Sequence, residues 1–159
     1  MLAKSQASIV KNGWTLEPLA AFSLDARVLG VKSYSDDFSA SLAPLDLAVG
    51  WGAMSDTTVL DRMDITQRDR FYLWRYWGKA PIPEKEIVTH SANMHIVPAD
   101  DSILGKLKSL RKGSLVHLSG NLVEATHPKS NKPWRSSLTR EDEGEGACEL
   151  FYVKSLSER

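Results

Sequence analysis

Alternation of apolar and polar side chains constrains the fold of this chain more than any other feature of the sequence. Phe22, Leu24, Ala26 and Val28 alternate with polar residues, which is the period expected of a half-buried β-strand. The apolar positions change face near Gly30, where a glycine can accommodate a β-bulge. The pattern therefore predicts a bent strand within a curved sheet.

The other segments predict a β-rich domain with few helices. Further strands are expected at residues 65–76, 91–96, 114–125, 134–140 and 147–153, with a bulge at Gly120. A helix is expected after an N-cap at Asp100 or Asp101, and shorter ones at 84–88 and, behind an N-cap at Ser55, at 56–63. Residues 42–51 are interrupted by proline and glycine, which predicts a packed loop. The predicted fold class is α+β and β-rich, a bent antiparallel sheet or a partly closed, OB-like small barrel with two or three short helices.

Length, charge and cysteine content narrow the classes of protein to consider. With 159 residues and no interior linker, the chain is predicted to have a flexible N-terminal segment, residues 1–13, and one globular domain, residues 14–156. The formal net charge of zero argues against nucleic acid as a partner. No apolar stretch approaches the ~20 residues of a membrane-spanning helix, so the chain as given is expected to be soluble, without membrane insertion.

Two histidines, His90 and His95, suggest a metal site at first sight. Residues five apart point to opposite faces of a strand and lie about 140° apart on a helix, so neither structure lets both bind one ion. No metal and no cofactor is therefore predicted. Ser91, Asn93 and His95 instead share one strand face, which indicates the wall of a ligand pocket, a hydrogen-bond network or a solvated outer surface.

Cys148 is the single cysteine and follows an acidic, glycine-rich segment. A thiol needs a nearby base to form a thiolate near neutral pH, and His95 or His90 would supply one, so these three residues are the catalytic candidates. The alternative is a small buried core residue. Arg140 is the natural guanidinium for an anionic ligand on the strand face that carries Ser136.

One more segment interleaves basic and aromatic residues. Arg68, Arg70, Trp74 and Arg75 combine groups that pair with phosphates and stack on bases, which makes them candidates for contact with nucleic acid. Aromatic residues are equally common as cross-strand pairs in ordinary sheets.

Residues 45–56, 90–95, 136–140 and 144–149 together resemble a family of uncharacterised proteobacterial proteins, with the similarity covering about residues 14–153. In that family the domain often follows an N-terminal hydrophobic segment. The resemblance therefore implies a bacterial protein that is periplasmic or tethered to a membrane in its full-length form, although residues 1–13 carry no such apolar run. No activity and no catalytic residue comes with the resemblance.

Three functions are compatible with these patterns. The sequence favours a non-catalytic binding or interaction module that recognises a protein or a small polar ligand through Ser91, Asn93, His95, Ser136 and Arg140. The second hypothesis is a hydrolase or transferase that uses Cys148 with a histidine, and the third is binding of single-stranded nucleic acid or another polyanion along residues 68–77. A site where His95 and Cys148 meet would distinguish the second from a scaffold.

Overall fold

The computed structural model describes residues 7–138 and 148–159. The strands in these ranges are β1 (Ile9–Lys11), β2 (Trp14–Ser33), β3 (Leu45–Gly50), β4 (Met63–Arg68), β5 (Phe71–Tyr76), β6 (Ser91–Pro98), β7 (Leu115–Thr126), β8 (Trp134–Arg135) and β9 (Leu150–Glu158). The α-helices are α1 (Thr57–Leu60), α2 (Glu84–Thr89) and α3 (Asp101–Ser109). Two 3-10 helices lie at Phe38–Ser41 and Gly52–Ser55.

Hydrogen bonding closes five of these strands into a ring. β2 pairs with β3, β3 with β6, β9 with β7 and β7 again with β2, all antiparallel, whereas β6 and β9 are parallel. A five-stranded Greek-key ring is the arrangement of OB-like barrels, so the predicted β-rich α+β class with a bent sheet is confirmed. β1 and β8 extend the sheet at its two ends, and β4 and β5 form a separate two-stranded hairpin.

The main hydrophobic core fills the inside of the ring. It is built from inward-facing side chains of β2, β3, β6, β7 and β9, and α3 adds Ile103 and Leu107. The helix is positioned by its sequence, because the carboxylate of Asp100 accepts a hydrogen bond from the backbone N–H of Ile103 at 2.9 Å. The predicted helix after Asp100 is therefore confirmed.

Two glycines mark bends in the ring. The strand register shifts between Val28 and Gly30 in the β2–β3 pair and between Ser119 and Gly120 in the β7–β9 pair, as the sequence predicted. At Gly120 a Cβ atom would overlap the carbonyl oxygen of Tyr152. A glycine is thus required there by the close approach of two backbones.

The sequence-based assignment failed where burial or turn chemistry hid the pattern. Residues 42–51 are not a packed loop: they contain β3, which is buried along its whole length. A strand buried on both faces reads as a continuous apolar run, without alternation. Residues 65–76 are not one strand but parts of two, because Asp69 and Arg70 both have positive φ, 53° and 70°, and form a tight turn between β4 and β5. Such turns are usually recognised by a glycine, which is missing here.

Smaller differences concern element ends. Asp56, not Ser55, caps α1, since its carboxylate accepts from the N–H of Thr58, and the helix has four residues. The antiparallel run predicted at the C-terminal end is incomplete, because β9 pairs in parallel with β6, and β8 extends over Trp134 and Arg135 alone. Within residues 7–138 and 148–159, no helix is long and apolar enough to cross a membrane.

Candidate functional site

The outer face of the β3–β6 pair carries a row of buried polar side chains. In this pair Asp46 lies opposite His95, and Ala48 lies opposite Asn93. Their neighbours along each strand point into the barrel core, so alternation turns these side chains outwards, where the β4–β5 hairpin covers them. Asp46, Asn93 and His95 are all 5% exposed or less, so the strand face that the sequence left open is a buried network and not a solvated surface.

Asp46 is the centre of this network, and its carboxylate is fully buried. Oδ1 accepts from the Arg70 guanidinium at 3.0 Å and lies 2.9 Å from Nδ1 of His95, while Oδ2 accepts from the Asn93 amide at 3.1 Å. A buried carboxylate is tolerated only when charged and hydrogen-bonding partners replace the lost water. The three donors meet that condition and hold the His95 ring in one orientation.

The hairpin tip supplies the arginine. Arg70 donates from Nε and Nη2 to both carboxylate oxygens of Asp37 at 2.9 Å, and its guanidinium lies 4.1 Å from the centre of the Tyr34 ring. The Arg70 carbonyl also accepts from Asn93 at 3.2 Å. These contacts compensate for the left-handed backbone conformation of Arg70, which is unfavourable for a residue with a Cβ.

The start of β9 brings Cys148 to His95. The backbone N–H of His95 donates to the Glu149 carbonyl at 2.9 Å, and the N–H of Ser137 donates to the Cys148 carbonyl at 3.0 Å. The side chains of His95 and Cys148 line the same cleft, and the sulfur lies near enough to the imidazole to affect its pKa. Since Nδ1 of His95 faces Asp46, Nε2 is the ring nitrogen left for the sulfur.

The surroundings of His95 favour its protonated form. Burial by itself would lower the pKa of His95, but the hydrogen bond to the Asp46 carboxylate and the interaction with nearby Cys148 raise that pKa from 6.5 to about 9. The imidazole is therefore an imidazolium at neutral pH. Its charge and that of Arg70 balance the carboxylates of Asp37 and Asp46, which makes burial of this cluster possible.

An open cleft of about 470 Å³ lies against this pair. Cys148 is partly exposed, and the Trp134 ring lies 5.2 Å from the His95 ring, centre to centre. The cleft is lined by Ser39, Arg70, Phe71, His95, Pro133, Trp134, Arg135 and Cys148. A small molecule in the cleft would thus contact the thiol and the imidazole together.

The predicted ligand-binding residues are distributed unevenly around this cleft. His95 lines it, whereas Ser91, Asn93 and Ser136 are buried and bonded to the protein: Ser91 donates to the Ile87 carbonyl at 2.6 Å, and Ser136 accepts from the N–H of Leu150 at 2.9 Å. Arg140 lies outside the described residues.

The three catalytic candidates also separate. His95 and Cys148 meet, but His90 ends α2, where its Nδ1 lies 3.0 Å from the Glu86 carbonyl oxygen. Sequence reasoning missed Asp46 and the role of Arg70 in holding it. The available signal for Asp46 was a single carboxylate inside the otherwise apolar stretch of residues 45–51.

The candidates for nucleic-acid contact do not form a free positive stripe. Arg70 is engaged by Asp37 and Asp46, and Arg75 pairs with Asp64 at 3.1 Å. Trp74 is stacked on Tyr76 with a ring separation of 6.4 Å, and Arg68 remains exposed.

In the described part of the chain, no group of three or more His, Cys, Asp or Glu side chains is placed to hold a metal ion.

Comparisons with protein-family models, curated proteins and solved structures found no match to this chain. The geometry of the cleft therefore carries the functional conclusion.

Proposed function

We propose that the protein is a cysteine-dependent acyl hydrolase or acyltransferase in which Cys148 is the nucleophile. The observation that supports this is the position of His95, held by Asp46 on one side and next to Cys148 on the other, at the wall of an open cleft. A nucleophile, a base and a group that orients the base are the parts of a catalytic triad. Their separation along the chain does not matter, because triads are recognised by geometry.

The first half of the reaction forms a thioester. The His95 imidazolium stabilises the Cys148 thiolate, whose sulfur attacks the carbonyl carbon of the substrate. As the tetrahedral intermediate collapses, the bond to the leaving group breaks and Nε2 of His95 donates its proton to that group. The enzyme now carries the acyl group on sulfur and a neutral His95.

The second half releases the acyl group. Neutral His95 takes a proton from water, or from the hydroxyl or amine of an acceptor, and the resulting nucleophile attacks the thioester carbon. The thiolate leaves, and His95 is again an imidazolium. Hydrolysis and transfer differ only in which nucleophile enters the cleft.

Asp46 and Arg70 are positioning residues in this scheme. Asp46 fixes the imidazole and stabilises its charge through the 2.9 Å contact at Nδ1. Arg70 bridges Asp46 and Asp37, which keeps the Asp46 carboxylate from rotating away from His95. Neither group needs to contact the reacting atoms.

The second candidate is the non-catalytic binding module that the sequence favoured. The internal pairing of Asp46, Asn93, Arg70 and Asp37 supports it, because a fully satisfied polar network is also what a rigid binding scaffold requires. In that case the same cleft would bind its ligand without forming a bond to sulfur.

Alkylation of the thiol distinguishes the two candidates. Because Cys148 is the single cysteine, iodoacetamide labelling followed by mass spectrometry reports this thiol alone. We expect rapid labelling near pH 6, where an ordinary thiol reacts slowly, and a decrease of at least about tenfold in His95→Gln. His117→Gln is the matched control, since His117 also lies 2.9 Å from an aspartate, Asp25, at a distant surface position.

Acylation provides the direct readout. Incubation with p-nitrophenyl acetate should give an acetyl adduct on Cys148 in the wild type and in His117→Gln, but not at a comparable rate in His95→Gln. Identical labelling and acetylation rates in all three proteins would refute the catalytic proposal and leave the binding module.

A further inference from the structure

We infer that the acyl substrate of this site carries a carboxylate group, which is bound by Arg135 at the wall of the cleft. This inference rests on the proposed function and adds the class of substrate. It is based on the charges and the exposed apolar surfaces of the residues that line the cleft beside Cys148.

One cation on the described cleft wall is not balanced by a carboxylate at hydrogen-bond distance. Arg70, Arg135 and the protonated His95 line this wall, and none of the described lining residues is an acid. Arg70 and His95 are balanced by Asp37 and Asp46. Arg135 is therefore the group that would attract an anion to the cleft.

Arg135 is the cation with donors to spare. Arg70 uses three N–H groups on Asp37 and Asp46, whereas among the described residues the carboxylate paired with Arg135 is that of Glu124, at 3.6 Å. That distance is too long for a good hydrogen bond. The Arg135 side chain is 55% exposed, so its planar fork is free to bind a carboxylate through two parallel bonds.

The segment that carries Arg135 adds further positive charge. Lys129 and Lys132 are exposed on the turn that leads into β8, and no acidic residue occurs between Glu124 and Glu141 in the sequence. These lysines raise the local potential, and Arg135, which lines the cleft, supplies the directed contact.

Apolar side chains in the cleft provide a surface for the hydrocarbon chain between the carbonyl and the carboxylate of the substrate. Trp134 immediately precedes Arg135, and its ring lies beside the His95 ring, while Phe71 across the cleft is 48% exposed. A short hydrocarbon chain lying along Trp134 would hold its carbonyl carbon at the thiol and its far end at Arg135. This arrangement suits an acyl chain that ends in a carboxylate, such as a dicarboxylic acyl group.

Two aryl esters of matched length test this inference. p-Nitrophenyl hemisuccinate and p-nitrophenyl butyrate differ at the end of the acyl chain, where the first has a carboxylate and the second a methyl group. Attack by the Cys148 thiolate forms the thioester and releases p-nitrophenolate from either ester. We expect hemisuccinate to acylate Cys148 about fivefold faster, as one partly exposed ion pair allows, and the preference to fall as salt is added.

Substitution identifies the group that is responsible. Arg135→Gln should bring the ratio of the two rates close to one, whereas Arg159→Gln should keep it. Arg159 has a similarly exposed side chain, 64%, but pairs with Asp25 away from the cleft. Urea unfolding of each variant, followed by tryptophan fluorescence, confirms that the comparison is made between folded proteins.

The outcomes separate the substrate class from the function. Acylation that depends on His95 but shows no preference for hemisuccinate, or a preference that survives Arg135→Gln, overturns the carboxylate inference and leaves the proposed function intact. If neither ester acylates Cys148 in a manner that depends on His95, both fail.

Discussion

Raising the pH from about 6 to about 9.5 should destabilise the folded protein through His95, because the imidazole binds its titrating proton more tightly in the folded state than in the unfolded chain. The pKa of His95 rises from 6.5 to about 9 on folding. Since the folded pKa lies above the unfolded one, the stabilisation is complete below pH 6.5 and disappears as the pH rises through about 9. At about 1.4 kcal/mol per pKa unit, the expected loss is about 3 kcal/mol.

The magnitude needs little correction for solvent, because His95 is 5% exposed. Among residues 7–138 and 148–159, the other groups with a shifted pKa act outside this pH window. The tyrosines with a raised pKa affect stability above pH 10; they are Tyr34, Tyr72, Tyr76 and Tyr152. The aspartates with a lowered pKa, Asp37 and Asp56, affect it below pH 3.8. The pH dependence between these limits is therefore a signature of the His95 site.

The assay is urea unfolding at a series of pH values, with the free energy of unfolding extrapolated to zero denaturant. His95→Gln should flatten the curve, and Cys148→Ala should reduce its slope, because the sulfur contributes to the raised pKa. His117→Gln should keep the wild-type slope. A wild-type curve that is flat across this range, or a slope that persists in His95→Gln, would refute the assignment of an imidazolium to the folded state.

Two further predictions concern stability and use matched pairs of variants in the same unfolding assay. Asp46→Ala should lower the free energy of unfolding by about 3–5 kcal/mol, because it leaves Arg70 and His95 buried without their carboxylate. Asp64→Ala removes only an exposed partner of Arg75 and should lower it by less than about 1 kcal/mol. Similar losses in the two variants would contradict a buried network. Gly120→Ala should cost about 1–3 kcal/mol, since its Cβ meets the Tyr152 backbone. Gly105→Ala is the control: this glycine lies in open space on α3, so the substitution should stabilise the protein by about 0.5–1 kcal/mol. A Gly120→Ala protein as stable as the wild type would disprove the close approach of the Gly120 and Tyr152 backbones.

The sequence predicted those elements whose determinants are local. α3 was recognisable because Asp100 caps a run of apolar residues at helical spacing, and the bulges because Gly30 and Gly120 coincide with changes of face. β3 was not recognisable from the sequence, because burial on both faces removes the alternation on which strand prediction depends. The turn at Asp69 and Arg70 was not recognisable either, because no glycine marks it. Tertiary contacts of the Arg70 side chain stabilise the left-handed backbone conformation of this turn instead.

The candidate site was only half predictable, for a related reason. Each of His95 and Cys148 could be named from its chemistry, but Asp46 lies 49 residues before His95 and becomes its partner through the register of β3 with β6. The placement of Cys148 depends on the parallel pairing of β6 with β9, which no local pattern specifies. Residue types indicated the candidate groups, and strand topology decided which of them met.

The parallel pairing of β6 with β9 also determines when the site comes into being. Asp46, His95 and Cys148 arrive from the first, middle and last thirds of the chain, and loops of this length close late in folding. A nascent or truncated chain without β9 therefore lacks the arrangement that places Cys148 beside His95, which forms only with the finished barrel. If Cys148 reacts as we propose, its alkylation would report native assembly with one reagent and no added probe.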